Sequence, residues 1–222
     1  MLDHILHSLA PHSCCSCGNV GALLCDVCKY DIVSEPYGRC ISCSTIAAHD
    51  DLCANCRSAL QLSGAWVVGP RDGALKRLID RYKFGSAVAA HRECVDVLDR
   101  RLPVLPTTLT VVAAPTIPAH VRARGFDHTA LIAKALATRR GLAYQRVLAR
   151  RGGAGTQHHR NRRERLRWAA EGLQVIAPAP SDVLLIDDVY TTGATAAACT
   201  AALRQAGARN IYIAVLARQE LV

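Results

Sequence analysis

The chain has 222 residues, room for one full domain and a smaller unit, and half of them are apolar, so a sizeable core forms although Phe and Trp number only two each. A formal net charge of +9 directs attention to acidic partners: phosphate ligands, nucleic acid or an anionic surface. No apolar run reaches the ~18 residues that a membrane span needs, and the start, with Asp3, His4 and His7, lacks the apolar centre of a signal peptide. No membrane insertion is expected, and the cytoplasm is the expected compartment.

Nine of the eleven Cys lie between Cys14 and Cys56. Eight form Cys-x-x-Cys pairs: Cys14/Cys17, Cys25/Cys28, Cys40/Cys43 and Cys53/Cys56, with Cys15 left over. Without a secretory leader, this pattern favours metal over disulfides. Two Cys-x-x-Cys turns complete one four-thiolate zinc site, so the eight thiolates serve one or two structural zinc ions. The spacing leaves sequential and interleaved pairing both open, and an iron–sulfur cluster or a redox disulfide set is the competing use. A unit this small and poor in apolar residues needs metal to fold.

Residues 65–69 read as a short buried strand. Residues 73–90 read as a helix, with Leu75, Leu78, Ile79 and Tyr82 on one stripe and Lys76, Arg77, Arg81 and Lys83 on the others. A second amphipathic helix follows to 102, in which Cys94 is a core thiol. Residues 110–115 form a buried strand, and a loop over 116–124 then carries Arg122 and Arg124 into a helix over 129–140. Two Arg at the carboxyl end of a strand suit a diphosphate. A further strand is expected over 143–148. Residues 149–168 are rich in Gly and Arg and read as a mobile, strongly positive loop entering a helix. Its two functional readings are a catalytic lid and a nucleic-acid contact.

The most informative stretch comes next. Val183-Leu184-Leu185-Ile186 is a strand buried on both faces, followed by Asp187 and Asp188. The turn Thr191-Thr192-Gly193-Ala194-Thr195 leads into an Ala-rich helix. Unpaired N–H groups at that helix start favour an anion, Gly193 allows close backbone approach, and the Thr hydroxyls donate. A phosphate in the turn with a sugar diol on the two Asp fits this chemistry. A last strand over 210–216 completes an alternating strand–helix order, which predicts an α/β parallel sheet.

This stretch resembles the ribose-phosphate fingerprint of type I phosphoribosyltransferases. The whole layout resembles one branch of that group, the competence protein ComF family: the Cys-x-x-Cys pairs, Leu-Ile-x-x-Tyr-Lys-Phe-Gly at 78–85, Arg-x-Arg-Gly-Phe at 122–126, and Thr-Gln before an Arg-rich helix at 156–167. The resemblance implies a type I phosphoribosyltransferase-like parallel sheet with flanking helices over 61–222, and a small zinc-ribbon-like unit over 1–60. It implies binding of phosphoribosyl pyrophosphate (PRPP) with Mg²⁺ and pentosyl transfer. Asp187 and Asp188 would hold the ribose hydroxyls, and Thr191, Thr192, Gly193, Ala194 and Thr195 the 5-phosphate. Arg122, Arg124 and Lys83 would lie near pyrophosphate, and Gln157 and Arg160 would belong to the catalytic loop. Family members are linked to DNA uptake and transformation, which implies single-stranded DNA or competence proteins as partners. The family's usual Asn-Gln after Arg-Gly-Phe is replaced by Asp127-His128, and Trp168 stands where an Asn is common. Two other functions fit the same residues: a non-catalytic PRPP or nucleotide sensor, and a single-stranded nucleic-acid-binding accessory protein. The acceptor of the ribosyl group is not encoded in any motif.

Overall fold

The computed structural model describes residues 12–47, 50–84, 90–151 and 171–220. Gln157, Arg160, Trp168 and most of the Arg-rich stretch lie outside them. In chain order the elements are α1 (Asp26–Ser34), α2 (Ala54–Leu60), β1 (Gly64–Pro70), α3 (Gly73–Phe84), α4 (Ala90–Arg101), β2 (Thr110–Ala113), α5 (Pro118–Arg124), α6 (His128–Arg140), β3 (Ala143–Tyr144), β4 (Leu148–Arg150), β5 (Leu173–Val175), β6 (Asp182–Tyr190), α7 (Ala194–Gln205) and β7 (Asn210–Arg218).

Five strands form one sheet in the order β1-β7-β6-β2-β3, and every pairing is parallel. The expected α/β architecture is therefore present. Its centre is β6, where Val183, Leu184, Leu185 and Ile186 are fully buried. Their side chains alternate between two apolar layers, because successive strand residues point to opposite faces. Leu184 and Ile186 join Val111, Leu216 and the apolar sides of α1, α3, α4 and α6. Val183 and Leu185 join Ala196, Cys199 and Leu203 of α7 on the other face. A continuous apolar run is what such a doubly covered strand requires. On α3 the stripe Leu75, Leu78, Ile79 and Tyr82 is the buried one, as its spacing indicates. Cys94 is fully buried, as a core thiol should be.

The Cys-rich segment is folded onto both faces of this sheet. Cys14, Cys15, Leu23, Leu24 and Cys28 belong to the α3/α4 layer. Cys40, Ile41 and Leu52 belong to the α7 layer. Asp51, nearly fully buried, anchors the second half: its Oδ2 accepts from Val67 N–H at 2.7 Å and from Arg101 Nη2 at 2.7 Å.

Three local expectations need correction. The loop expected over 116–124 contains the short helix α5, started by Pro118 in its first turn and ended by Gly125 at φ 80°. The single strand expected over 143–148 is split. β3 ends beside β2, and the chain then leaves the sheet so that β4 pairs antiparallel with β5, a strand the sequence did not reveal. Finally, β6 does not stop at Ile186. It runs through both carboxylates to Tyr190, paired along β7 as far as Tyr190↔Arg218. No helix among the described residues is long and apolar enough to cross a membrane.

Candidate functional site

The chain leaves β2 towards α6 and β3 on one side, and leaves β6 towards α7 and β7 on the other. These neighbouring strands therefore diverge at their carboxyl ends, and such a switch point opens a crevice. Asp187 and Asp188 stand there at the end of β6.

As consecutive strand residues, the two carboxylates address opposite layers. Asp188, 7% exposed, meets the α3/α6 side. Its Oδ2 lies 2.6 Å from Lys83 Nζ and accepts a short hydrogen bond from His128 Nε2. Arg124 Nη1 is 3.1 Å from His128 Nδ1. A guanidinium can only donate, so Nδ1 accepts and the ring proton sits on Nε2, facing Asp188. Burial alone would raise the Asp188 carboxyl; the Lys83 charge and the His128 hydrogen bond overcome it and hold the group far below the usual carboxylate range. Asp187, partly buried, turns its Oδ1 back to accept from Asp188 N–H at 2.8 Å. Burial, then the adjacent Asp188 charge, push its carboxyl up to about 7, against the opposing charges of Lys83 and Arg150.

His128 is held from several sides. Tyr82 donates its hydroxyl to the His128 carbonyl at 2.7 Å. Asp127 caps α6, its Oδ1 accepting from Ala130 N–H at 3.1 Å and from the Thr116 hydroxyl at 2.8 Å. The departure from the family pattern at Asp127-His128 thus falls on a helix cap and on a partner of Asp188.

Beyond β6 the chain turns sharply at Gly193, φ 77°, the residue preceding α7. A Cβ there would lie 2.6 Å from Tyr190 Cζ, so both backbone angle and space demand glycine. The first helical bond runs from Ala197 N–H to Gly193 O at 2.8 Å, which leaves the usual orphan N–H groups at the helix start. The N-cap residue, Gly193, has no side chain to cap them. Thr191 is exposed, Thr192 and Thr195 are half-buried, and Gly193 and Ala194 are buried. Beneath the turn lies Arg218, 4% exposed, whose Nη1 donates to Thr191 O at 2.9 Å and whose guanidinium stacks 5.3 Å from the Tyr190 ring centre. Among the described residues no carboxylate lies within ion-pair distance of Arg218, and its Nε is buried without a partner. Arg218 thus places a buried positive charge under the turn without an ion-pair partner among the described residues.

The residues expected near pyrophosphate separate. Lys83 is engaged by Asp188, and Arg124 lies at the crevice edge against His128 and 5.5 Å over the Phe84 ring. Arg122 is exposed on α5. Gln157 and Arg160 fall outside the described residues. Three residues gain a place at the site that the sequence reading did not give them: His128, named only as a departure from the family pattern, Arg150, named only in the basic stretch, and Arg218. His128 was visible as a break in the Arg-Gly-Phe segment. Arg218 sits at a strand end, where an Arg normally signals only the return to solvent.

The cysteines form two tetrads in sequential pairing, Cys14/Cys17/Cys25/Cys28 and Cys40/Cys43/Cys53/Cys56, each with all ligand atoms within 4.8 Å of one another. Cys17 and Cys25 Sγ are 3.7 Å apart, and Cys43 and Cys53 Sγ 3.6 Å. Tetrahedral zinc with Zn–S bonds of about 2.3 Å sets its sulfurs about 3.8 Å apart, so both sets fit that ion. The tetrads share one construction: an antiparallel bridge (Ser13↔Val20, Arg39↔Ile46), then a helix whose N-cap is the third cysteine, Cys25 or Cys53. A helix N-terminus favours thiolate. Cys15 is buried outside both sets and packs on α3.

No family model matches the chain. DNA utilization protein YhgH of Salmonella typhi is 28% identical over 208 residues, an alignment spanning 88% of this chain and 90% of that protein. Competence protein ComFC of Streptococcus pneumoniae is 29% identical over 150 residues, spanning 65% of this chain and 64% of its own. The chain is thus similar to proteins named for DNA utilization and for competence. Among solved structures it is similar to an adenine phosphoribosyltransferase (TM-score 0.31, 18% identity, 64% of this chain and 70% of that one) and to the adenine phosphoribosyltransferase of Thermoanaerobacter pseudethanolicus (TM-score 0.37, 12% identity, 67% and 88%). The YhgH alignment leaves out too little of the chain to omit the whole Cys-rich segment.

Proposed function

We propose that the chain binds PRPP in the crevice between the carboxyl ends of β2 and β6 and acts as a phosphoribosyltransferase-like protein in DNA uptake. The 5-phosphate sits in the turn Thr191-Thr192-Gly193-Ala194-Thr195, and the ribose hydroxyls meet Asp187 and Asp188. Arg124 and Lys83, with Arg122 further out, face the diphosphate. Gln157 and Arg160, outside the described residues, keep the catalytic-loop role that the resemblance implies. The observation that carries this reading is the joining, at one switch point, of two carboxylates with a helix start whose N-cap is Gly193, lying over the buried Arg218, which has no ion-pair partner among the described residues. An anion site and a diol site side by side suit a sugar phosphate. The names of the relatives, DNA utilization and competence, support the DNA-uptake setting.

Mg²⁺ would travel with the diphosphate and neutralise its charge, since this ion keeps few protein ligands. The donor set fits that role: Asp188 already has two partners, leaving Asp187 as the carboxylate available to the ion or its waters. In transfer, positive charge develops on the ribose as pyrophosphate departs. The carboxylates steady the sugar, and the arginines and Lys83 stabilise the leaving group. Residues 61–222 would form this ligand-binding domain, and 1–60 the zinc-binding one. A sensor that binds without transfer is the second reading, favoured by the engagement of Asp188 with Lys83 and His128. Pyrophosphate release from PRPP on addition of nucleobases or amines supports the enzyme. Tight PRPP binding with no release supports the sensor.

A further inference from the structure

Arg218 is the last residue of β7, yet it is 4% exposed. Strand pairing fixes its place from both sides, with Tyr190 of β6 and Pro70 of β1 as its partners in register. Arg71 N–H donates to Arg218 O at 2.9 Å. The guanidinium stacks 5.3 Å from the Tyr190 ring centre, and its Nη1 serves three carbonyls: Thr191 O at 2.9 Å, Tyr190 O at 3.5 Å and Gln219 O. All of these partners are neutral, and Nε is buried with no partner at all. Of the two carboxylates on β6, Asp188 is paired with Lys83, and Asp187 lies among the opposing charges of Lys83 and Arg150. A buried cation held only by carbonyls is costly until a counter-charge arrives.

The bond to Thr191 O also orients the turn. The C=O and N–H of a trans peptide point to opposite sides, and the described residues contain no cis peptide. With Arg218 holding Thr191 O from beneath, Thr192 N–H is turned to the other side. There it joins the N–H groups of Gly193, Ala194 and Thr195, and none of the four has a backbone acceptor among the described residues. Successive free N–H groups in a turn make a concavity for an anion. The α7 dipole adds about half a positive charge to the full charge of Arg218. Their sum exceeds what one negative charge cancels.

We propose that Arg218 is the specificity-determining residue of the 191–195 turn, making it select a doubly charged terminal phosphate over a singly charged anion. Arg218 acts as a positioning residue, through its charge and through the Thr191–Thr192 peptide, without touching the ligand. This inference rests on the sugar-phosphate reading above and narrows it. The turn takes the phosphorylated end of a small sugar or nucleotide, whose monoester carries close to two charges at neutral pH, and discriminates against an internal phosphate of a nucleic-acid strand, which carries one.

The test is calorimetry at pH 7.5 on the zinc-loaded full chain with ribose 5-phosphate, ribose 5-sulfate and PRPP·Mg²⁺, for wild type, Arg218→Lys and Arg218→Gln. The sulfate ester has the shape of the phosphate ester and one charge fewer. Wild type is expected to bind ribose 5-phosphate at least about tenfold more tightly than ribose 5-sulfate, the scale of one further charge near a buried cation. Gln keeps a donor for Thr191 O and removes the charge, so this ratio should fall to about threefold or less, the share left to the helix dipole. Lys keeps the charge and should keep the ratio. An Arg218 that served the fold alone would weaken both esters alike and leave the ratio unchanged. Equal affinity of wild type for the two esters overturns the proposal even if Arg218→Gln fails to fold, and so does an unchanged ratio in a folded Arg218→Gln. Selective binding of ribose 5-phosphate without binding of PRPP·Mg²⁺ removes the PRPP reading and leaves the role of Arg218 standing. Binding of none of the three overturns both.

Discussion

Replacing Lys83 by Met isolates the ion pair on which the Asp188 side of the crevice depends. Lys83 Nζ and Asp188 Oδ2 are 2.6 Å apart, with side-chain exposures of 16% and 10%. At an effective dielectric of about 20 the gross attraction is about 6 kcal/mol. Desolvation cancels much of it, and breaking a buried pair from one side costs about 3–5 kcal/mol because the remaining charge is stranded. His128 still donates to Asp188, so the lower end applies, and Lys83→Met should cost about 3 kcal/mol. For a chain of 222 residues, each kcal/mol shifts Tm by about 2–4 °C, giving a fall of about 6–12 °C. The assay is thermal unfolding at pH 7.5, monitored by circular dichroism in zinc-containing buffer, for Lys83→Met, Asp188→Asn and the double variant. Once Asp188 is uncharged, losing Lys83 strands nothing, so the double variant should lose at least about 2 kcal/mol less than the sum of the singles. Additive losses, or a single-variant shift under about 2 °C, would refute the reasoning.

Gly193→Ala meets both a left-handed φ of 77° and the Tyr190 ring, and should cost about 2–4 kcal/mol in urea unfolding; Gly125→Ala, at φ 80° with nothing within 4 Å of the new Cβ, should cost only about 1 kcal/mol. Asp187, raised to about 7 by burial and then by Asp188, keeps its proton in the folded chain after the unfolded chain has released it near the ordinary 3.8. Between those values the folded state binds more protons, so wild-type stability should fall as pH rises from 4 to 7, and the Asp187→Asn variant should lack this decline in a pH series of urea melts. Metal analysis should give two zinc ions per chain for wild type and one for Cys17→Ser or Cys43→Ser, because the tetrads share no ligand; loss of both ions from a single variant would contradict two separate sites.

Much of this arrangement was legible in the residues. The apolar run at 183–186 announced a strand covered on both faces, and the spacing of Leu75, Leu78, Ile79 and Tyr82 announced the buried stripe of α3. Cys-x-x-Cys spacing announced the metal-binding chemistry but not the pairing, because four equivalent turns can combine in more than one way until the chain between them is folded. The placement of the two tetrads on opposite faces was likewise invisible, since it depends on where β1 meets β7. The length of β6 was underestimated because two adjacent Asp argue against a strand interior, and only pairing with β7 carries the strand through them. His128 and Arg218 escaped for a common reason. Each owes its role to a residue distant in sequence, Asp188 and Thr191 respectively, and no local period records such a contact. The arrangement also changes how the Asp pair is understood. Strand alternation sends the two carboxylates to different layers, so one is clamped by Lys83 and His128 and the other lies partly buried on the opposite side.

The central claim, a sugar-phosphate site built on Asp187, Asp188 and the 191–195 turn, is tested most directly by calorimetric titration of PRPP·Mg²⁺ into zinc-loaded wild type and the Asp187→Asn/Asp188→Asn double variant. Saturable binding by wild type, at least about tenfold weaker in the variant, is the predicted result, since two hydrogen bonds to the ribose hydroxyls are weakened. Equal affinity in the two proteins, or no binding by wild type, would contradict the account.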